Sequence, residues 1–135
     1  MRKYFHQCVW AICIFFSVHT HAQNQPFITK WHFPAAAGEI QIAPITDGTV
    51  NYNWVSSSGS NGSGSFTNNG SGIVSIPLNS ISAGSTVTLS MEPQNLRSIK
   101  FGIHISGSAY LSTRLNLKDI VQWGTVPWNS MYYMF

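Results

Sequence analysis

Apolar and polar residues alternate with a period of two along most of the chain after residue 26. In the first three segments, aromatic and β-branched residues hold the apolar phase: Phe27, Thr29, Trp31 and Phe33; then Ile40 and Ile42; then Val50, Tyr52 and Trp54. The pattern returns at residues 73–78, 86–91, 99–105 and 115–121. Such alternation is typical of half-buried β-strands. Seven or so short strands predict an all-β fold, an antiparallel β-sandwich of the PKD/Ig-like kind.

Turn residues separate these segments and predict how neighbouring strands pair. Asp47-Gly48 is a two-residue signal for a type I′ hairpin, in which both turn residues have φ > 0. It predicts that residues 39–46 pair with residues 49–55. Pro44 has no N–H for a ladder and therefore belongs at an edge or a bulge. Gly84-Ser85 marks the turn between residues 73–78 and 86–91.

Residues 56–72 interrupt the alternation, because fifteen of these seventeen residues are Ser, Gly or Asn. The two exceptions are Phe66 and Thr67. This composition predicts a flexible loop that contributes nothing to the core. The loop is interpreted as an insertion between strands, with a binding loop on a rigid scaffold as the alternative.

The first 22 residues have the order of a signal peptide. Arg2 and Lys3 are followed by an apolar run at residues 8–18 and by Thr20-His21-Ala22, a small-residue pattern that precedes cleavage before Gln23. The apolar run is shorter than the roughly 20 residues that span a bilayer. We therefore expect export, with no transmembrane segment after cleavage and a location at the cell surface or outside the cell.

Removal of this segment changes the charge balance and the sulfur content. The seven Lys and Arg become five against four Asp and Glu, so the net charge falls from +3 to +1. Both cysteines leave with the segment, which excludes a disulfide or a thiolate metal ligand in the mature chain. A charge this small gives no basis for nucleic-acid binding.

Catalytic, cofactor and metal motifs are absent from the mature sequence. Its four carboxylates, Glu39, Asp47, Glu92 and Asp119, form no close sequence pair for acid and base catalysis. His32 and His104 occupy the polar phase of predicted strands, so both are expected at the surface. No serine lies in a nucleophile turn. The sequence therefore predicts a protein without enzymatic activity or cofactors.

Aromatic residues provide the candidate binding groups. Trp31, Tyr52 and Trp54 are a candidate platform for sugar rings, although their strand phase favours the core. Trp123 and Trp128 are candidates for docking this domain against a neighbouring one.

The last residues predict the beginning of a helix. Asn129 or Ser130 provides an N-cap, and Met131, Met134 and Phe135 then share one apolar face at i, i+3 and i+4. A helix this short is not stable alone, since isolated helices need roughly 12–15 residues. We therefore expect the polypeptide to continue and this face to dock on a neighbouring part of the longer chain.

Three segments resemble BspA-like leucine-rich repeat surface proteins. The pairing of Asp-Ile-Val-Gln-Trp-Gly at 119–124 with Trp-Asn-Ser-Met-Tyr-Tyr-Met-Phe at 128–135 resembles the junction at which a β-rich leader enters the first repeat. Residues 26–31 and 93–101 resemble the opening and a late strand of that leader. The chain departs from this family at one turn. Many such leaders contain Trp-Gly-Asp-Gly, whereas here Trp54 is followed by Val-Ser-Ser.

The resemblance implies an exported bacterial surface protein of adhesive type without catalytic residues. The domains would be a signal peptide at 1–22, a leader domain at 23–118 and the truncated start of a repeat region at 119–135. Its partners would be protein or glycan ligands at the cell surface, bound mainly by the missing repeats. The alternative is a secreted carbohydrate-binding module, and a hydrolase is a more distant one.

Signal cleavage can be tested on the protein secreted into culture. We expect intact-mass spectrometry to show Gln23, or its cyclised form, as the first residue. A protein that retains Met1 in the membrane fraction would contradict the signal-peptide assignment.

Overall fold

Eight β-strands and one 3-10 turn make up the described part of this computed structural model, which is residues 24–70, 72–101 and 113–131. The strands are β1 (Phe27–Phe33), β2 (Ala37–Thr46), β3 (Val50–Ser56), β4 (Asn61–Phe66), β5 (Val74–Ile81), β6 (Ser85–Met91), β7 (Leu96–Lys100) and β8 (Leu117–Gln122), and the 3-10 turn is Arg114–Asn116. The predicted all-β fold is confirmed. The signal segment at 1–22 lies outside the described residues. Across the described ranges, no helix has the length and apolar character needed to cross a membrane.

The strands form two antiparallel sheets. One sheet has the order β4-β3-β6-β1-β8 and the other has the order β5-β2-β7. A single cluster of buried apolar side chains from both sheets forms the core. This arrangement is consistent with a β-sandwich, in which the inner faces of two sheets pack against each other.

The period-two alternation correctly predicted which residues are buried. In β1, β3 and β6, every second side chain is buried and the residues between them are half-buried or exposed. The largest fully buried side chains are those of Trp31, Trp54, Phe27, Phe33, Ile40, Ile42, Ile76, Leu78, Ile81, Leu89, Met91 and Leu96. Burying one such side chain stabilises the fold by about 1.5–3 kcal/mol.

The prediction of a hairpin at Asp47-Gly48 is wrong. β2 and β3 lie in different sheets, with β2 paired to β5 and β7, and β3 paired to β4 and β6. Gly48 has a φ of 131°, but Asp47 does not have the positive φ that a type I′ turn requires. The connection is held instead by β7 and the residue before it, since the Asp47 N–H donates to the Asn95 carbonyl at 2.8 Å and Arg97 pairs with the Asp47 carboxylate at 3.0 Å.

Pro44 occupies a local edge of β2, as its missing N–H predicts. β2 pairs with β5 only up to Ile42, and from Ala43 onwards its pairing is with β7. The side of Pro44 that would face β5 therefore has no ladder partner. Its carbonyl accepts a hydrogen bond from the Asn68 side chain at 2.9 Å.

The prediction of a flexible loop at residues 56–72 is also wrong. Residues 61–66 form β4, which pairs with β3 from Val50↔Phe66 to Val55↔Asn61. Phe66 is buried and stacks on Tyr52 with 6.1 Å between ring centroids. Turns occupy only the ends of this stretch, with Gly59 at a φ of 90°.

Aromatic rings of β3 explain why glycine alternates along β4. Gly62 is paired with Trp54 and Gly64 with Tyr52. A Cβ on Gly62 would lie 2.8 Å from the Trp54 ring, and a Cβ on Gly64 would lie 2.5 Å from the Tyr52 hydroxyl. The missing side chains therefore make room for the two rings to cover the β4 backbone, a known way of stabilising glycine in a sheet.

Asn68 fastens the chain after β4 to the other sheet. Its N–H donates to Thr46 Oγ1 at 2.9 Å, and its carbonyl accepts from the Thr46 N–H at 2.7 Å. Its side-chain amide donates to the carbonyls of Pro44 and Gly72. These bonds join the end of β4 in the five-stranded sheet to β2 in the three-stranded sheet.

β5, β6 and β7 agree with the sequence pattern where they are described. Gly84, with a φ of 79°, lies in the predicted turn between β5 and β6. Ile99 and Phe101 are buried, whereas residues 102–105 of the predicted strand at 99–105 lie outside the described residues. The predicted strand at 115–121 differs, because Leu115 lies in the 3-10 turn and β8 has no buried side chain. The predicted boundary between 118 and 119 falls inside β8, so residues 119–122 belong to the five-stranded sheet.

Packing of Trp54 on β4 can be tested with Gly62→Ala. The added methyl group would meet a ring that is 1% exposed, so we expect a loss of about 1–3 kcal/mol in the free energy of unfolding. The control is Gly38→Ala in β2, where an added Cβ meets nothing within 4 Å. Urea denaturation that gives both variants the same stability would contradict this packing.

Candidate functional site

The residues after β8, named here the C-terminal segment (residues 123–131), cross from one sheet to the other. β8 is an edge strand of the five-stranded sheet, and β7 is an edge strand of the three-stranded sheet. The Thr125 N–H donates to the Gln25 carbonyl at 3.0 Å, beside the start of β1, and the Asn129 N–H donates to the Arg97 carbonyl of β7 at 2.9 Å. The C-terminal segment therefore connects the two sheets along the side where both of them end.

Gly124 allows the chain to turn against the backbone before β1. It has a φ of 68°, and a Cβ at this position would lie 2.5 Å from the Gln25 carbonyl oxygen and 2.7 Å from that of Pro26. The Gln122 side chain donates to the Pro26 carbonyl at 2.9 Å. The left-handed conformation and the close approach both favour glycine here.

Phe27 anchors the C-terminal segment through its ring. Its centroid lies 5.2 Å from Trp128 in an edge-to-face contact and 6.0 Å from Trp123. On another side, the Phe27 ring stacks on Phe101 at 6.5 Å. Trp123 and Trp128 also meet edge to face at 6.2 Å. Aromatic pairs of this geometry contribute about 0.5–1.5 kcal/mol each beyond their buried area.

Three large apolar side chains at the end of β8 or in the C-terminal segment are exposed, namely Val121 at 54%, Trp123 at 41% and Met131 at 50%. We name these three the C-terminal apolar residues. Leu115, which is 76% exposed, lies before β8, at the other end of that strand. Elsewhere in the described ranges, the large apolar side chains with this degree of exposure are Val55 and Ile73.

A groove of about 440 Å³ runs beside β8. It is lined by Leu117, Lys118, Asp119, Ile120 and Trp123. Among the described strands, β8 pairs only with β1, so its other edge presents backbone N–H and C=O groups without a ladder partner. Such an edge is a template for another strand.

The predicted docking residues have different environments. Trp128 is half-buried against the core, and its neighbour Val126 belongs to the core. Trp123 and Met131 remain substantially exposed. Residues 129–131 are not helical, and Met134 and Phe135 lie outside the described residues.

The residues of the candidate sugar platform are buried. Trp31 is 0% exposed, Trp54 1% and Tyr52 9%. The Trp31 Nε1–H donates to Thr29 Oγ1 at 2.8 Å inside the core. A ring without exposed area cannot stack on a sugar, so these three side chains act as core residues in this structure.

Two of the described carboxylates accept local side-chain hydrogen bonds from amides. The Glu39 carboxylate accepts from Gln41 at 2.7 Å, and Glu92 accepts from Asn51 at 2.8 Å. Burial raises the pKa of the Tyr52 hydroxyl above its usual value. Within the described ranges, no three His, Cys, Asp or Glu side chains cluster in a way that could hold a metal ion. His32 is half-buried, and His104 lies outside the described residues.

Sequence reasoning missed the groups that hold the C-terminal segment in place: Phe27 as an anchor, Gly124, Val126 and the backbone of Asn129. Gly124 carried a usable signal, because a Trp-Gly pair directly after a strand predicts a tight turn beside a large ring. The anchoring role of Phe27 had no such signal, since its partners are about 100 residues away in the chain.

Gly124→Ala should detach the C-terminal segment from β1. We expect a larger loss of stability than in Gly84→Ala, because Gly84 has a similar φ of 79° but an added Cβ there meets nothing within 4 Å. The difference between the two variants isolates the clash with the backbone of Gln25 and Pro26. Thermal unfolding with tryptophan fluorescence measures both; equal losses would contradict the close approach.

In comparisons with known proteins, no family model, curated protein or solved structure matches this chain. The resemblance to BspA-like proteins therefore remains a prediction from the residues that carry it.

Proposed function

We propose that this chain is the non-enzymatic leader domain of an exported bacterial surface protein of the BspA-like leucine-rich repeat type. In this proposal, the signal peptide at 1–22 directs export, the two sheets form a PKD/Ig-like sandwich, and the repeats beyond the leader carry adhesion. The role of the leader is to cap the repeat array and present it at the cell surface. Protein or glycan ligands would bind mainly to the repeats.

The exposed apolar side chains at the end of β8 and in the C-terminal segment carry this proposal. Three of the six exposed large apolar residues in the described ranges are the C-terminal apolar residues. Exposed apolar area in one region is typical of a surface that contacts another protein or domain. Here it lies where the chain leaves the five-stranded sheet.

A repeat array needs a surface of this kind at its end. Each repeat of a solenoid buries its apolar face against its neighbours, so the first repeat requires a cap. The open edge of β8 could pair with a strand, and the groove lined by Leu117, Ile120 and Trp123 could receive apolar side chains from it. These two features favour a neighbouring domain over a small-molecule ligand.

The C-terminal segment also makes the junction rigid. Trp128 and Val126 are packed on the core, and Asn129 is bonded to β7, so these residues are held by the leader itself. The proposed contact with the first repeat therefore uses Val121, Trp123 and Met131. A segment fastened to both sheets would keep the repeat array in one orientation relative to the leader.

The proposal predicts that the 135-residue chain self-associates when no repeat covers its C-terminal apolar residues. We expect light scattering to show concentration-dependent association and the Val121→Ser/Met131→Ser variant to be monomeric. The matched control is Val55→Ser/Ile73→Ser, which removes two exposed apolar side chains outside this region and should leave the association unchanged.

Two results would count against the proposal. One is a wild-type chain that stays monomeric at millimolar concentration; the other is association abolished equally by both double variants. Fusing a leucine-rich repeat unit to the C-terminus should suppress the association and protect the β8 backbone from hydrogen exchange.

A further inference from the structure

A polar groove lies on the outer face of the five-stranded sheet, over β4, β3 and β6. It has a volume of about 480 Å³, within the range of small-ligand sites. Its floor consists of side chains from three neighbouring strands, Asn51 and Asn53 of β3, Ser63 of β4 and Ser90 of β6. The segment before β1 and the connection between β6 and β7 form its walls.

Strand register fixes the spacing of the floor groups. Asn53 is paired with Ser63 on one side and with Ser90 on the other. Neighbouring strands are about 4.8 Å apart, so these three polar side chains form a row across the sheet. Asn51 lies two residues along β3, about 7 Å from Asn53. The result is a regular array of amide and hydroxyl groups.

A carboxylate is held in a defined position at the end of this array. The Asn51 side-chain amide donates to Glu92 Oε2 at 2.8 Å, and the Glu92 N–H donates to the Asn51 carbonyl at 3.0 Å. The other carboxylate oxygen, Oε1, has no hydrogen-bond partner among the described residues. Glu92 is exposed and lines the groove, so its carboxylate is available to a ligand.

The lining groups determine what class of ligand fits. They include amide donors and acceptors, hydroxyl groups and one carboxylate, whereas no Lys or Arg lines the groove. Such a lining disfavours anions and suits a ligand whose hydroxyls both donate and accept. Pro26, which is half-buried, adds apolar ring surface to one wall, and this surface can contact the C–H groups of a sugar.

Peptide recognition by strand addition does not fit this place. β3 and β6 are interior strands with ladder partners on both sides. Their main-chain groups are therefore already used, and Asn51, Asn53 and Ser90 can contribute only their side chains. Strand addition needs an open edge.

We propose that this groove binds a neutral saccharide through Asn51, Asn53, Ser90 and Glu92. The site differs from the platform that the aromatic residues suggested. Asn51 and Asn53 alternate with Tyr52 and Trp54 along β3, so the same strand presents amides to solvent and rings to the core. The proposal does not rest on the contact at β8, because the floor of the groove is formed by β3, β4 and β6.

The test begins with a panel of neutral oligosaccharides of glucose, galactose, mannose and N-acetylglucosamine. The best binder is then titrated into ¹⁵N-labelled protein, where we expect shifts confined to the backbone and side-chain amides of residues 51–53 and 90–94. Asn53→Val should weaken binding at least ten-fold. Valine suits an exposed strand position, so the fold should be retained.

Thr88→Val is the matched control, because Thr88 lies on the same outer face but not in the groove, and it should change affinity less than two-fold. Glu92→Gln, which removes the charge while keeping the shape, should weaken binding several-fold. Val121→Ser/Met131→Ser should bind saccharide normally, so failure of the β8 contact and failure of this site are distinguishable. No binding to any member of the panel at millimolar concentration, or equal losses in Asn53→Val and Thr88→Val, would overturn the proposal.

Discussion

The packing of large aromatic rings between the two sheets is the constraint on which the rest of this structure depends. Trp54 and Tyr52 fit because the residue of β4 paired with each of them is a glycine. A Cβ at either glycine would clash with the aromatic side chain of its partner. Phe27 can pack against Trp123 and Trp128 because Gly124, which has no side chain, allows the segment after β8 to lie directly against the backbone that precedes β1. In both places the absence of a side chain on one residue makes room for close packing by another.

The C-terminal segment makes contacts with both sheets. It starts at β8, packs Val126 and Trp128 on the core, and reaches β7 through the bond between Asn129 and Arg97. A segment with these contacts is part of the domain. Trp128 is half-buried in it, while Trp123 and Met131 remain substantially exposed.

The five-stranded sheet carries two surfaces of opposite character. At the β8 end, exposed apolar side chains and an open edge suit contact with protein. Over β3 and β6, amides and hydroxyls on paired strands suit a hydroxylated ligand. The two proposed contacts therefore involve different chemistry, one with an apolar protein surface and the other with a saccharide.

The sequence by itself determined which face of each regular strand is buried, as Trp31, Trp54 and Leu89 show, because alternation is a local property of the chain. It did not determine sheet membership. Ile42 and Val50 face the same core from different sheets, and alternation is identical in a hairpin and across a sandwich. Nor did composition identify β4, because a glycine-rich strand is stable only where aromatic rings of a partner cover it. The polar groove likewise needs three strands in register, and Phe27 meets Trp128 across about 100 residues. Only the tertiary structure decided these features, since each depends on partners that are distant in the chain or on the pairing of whole strands.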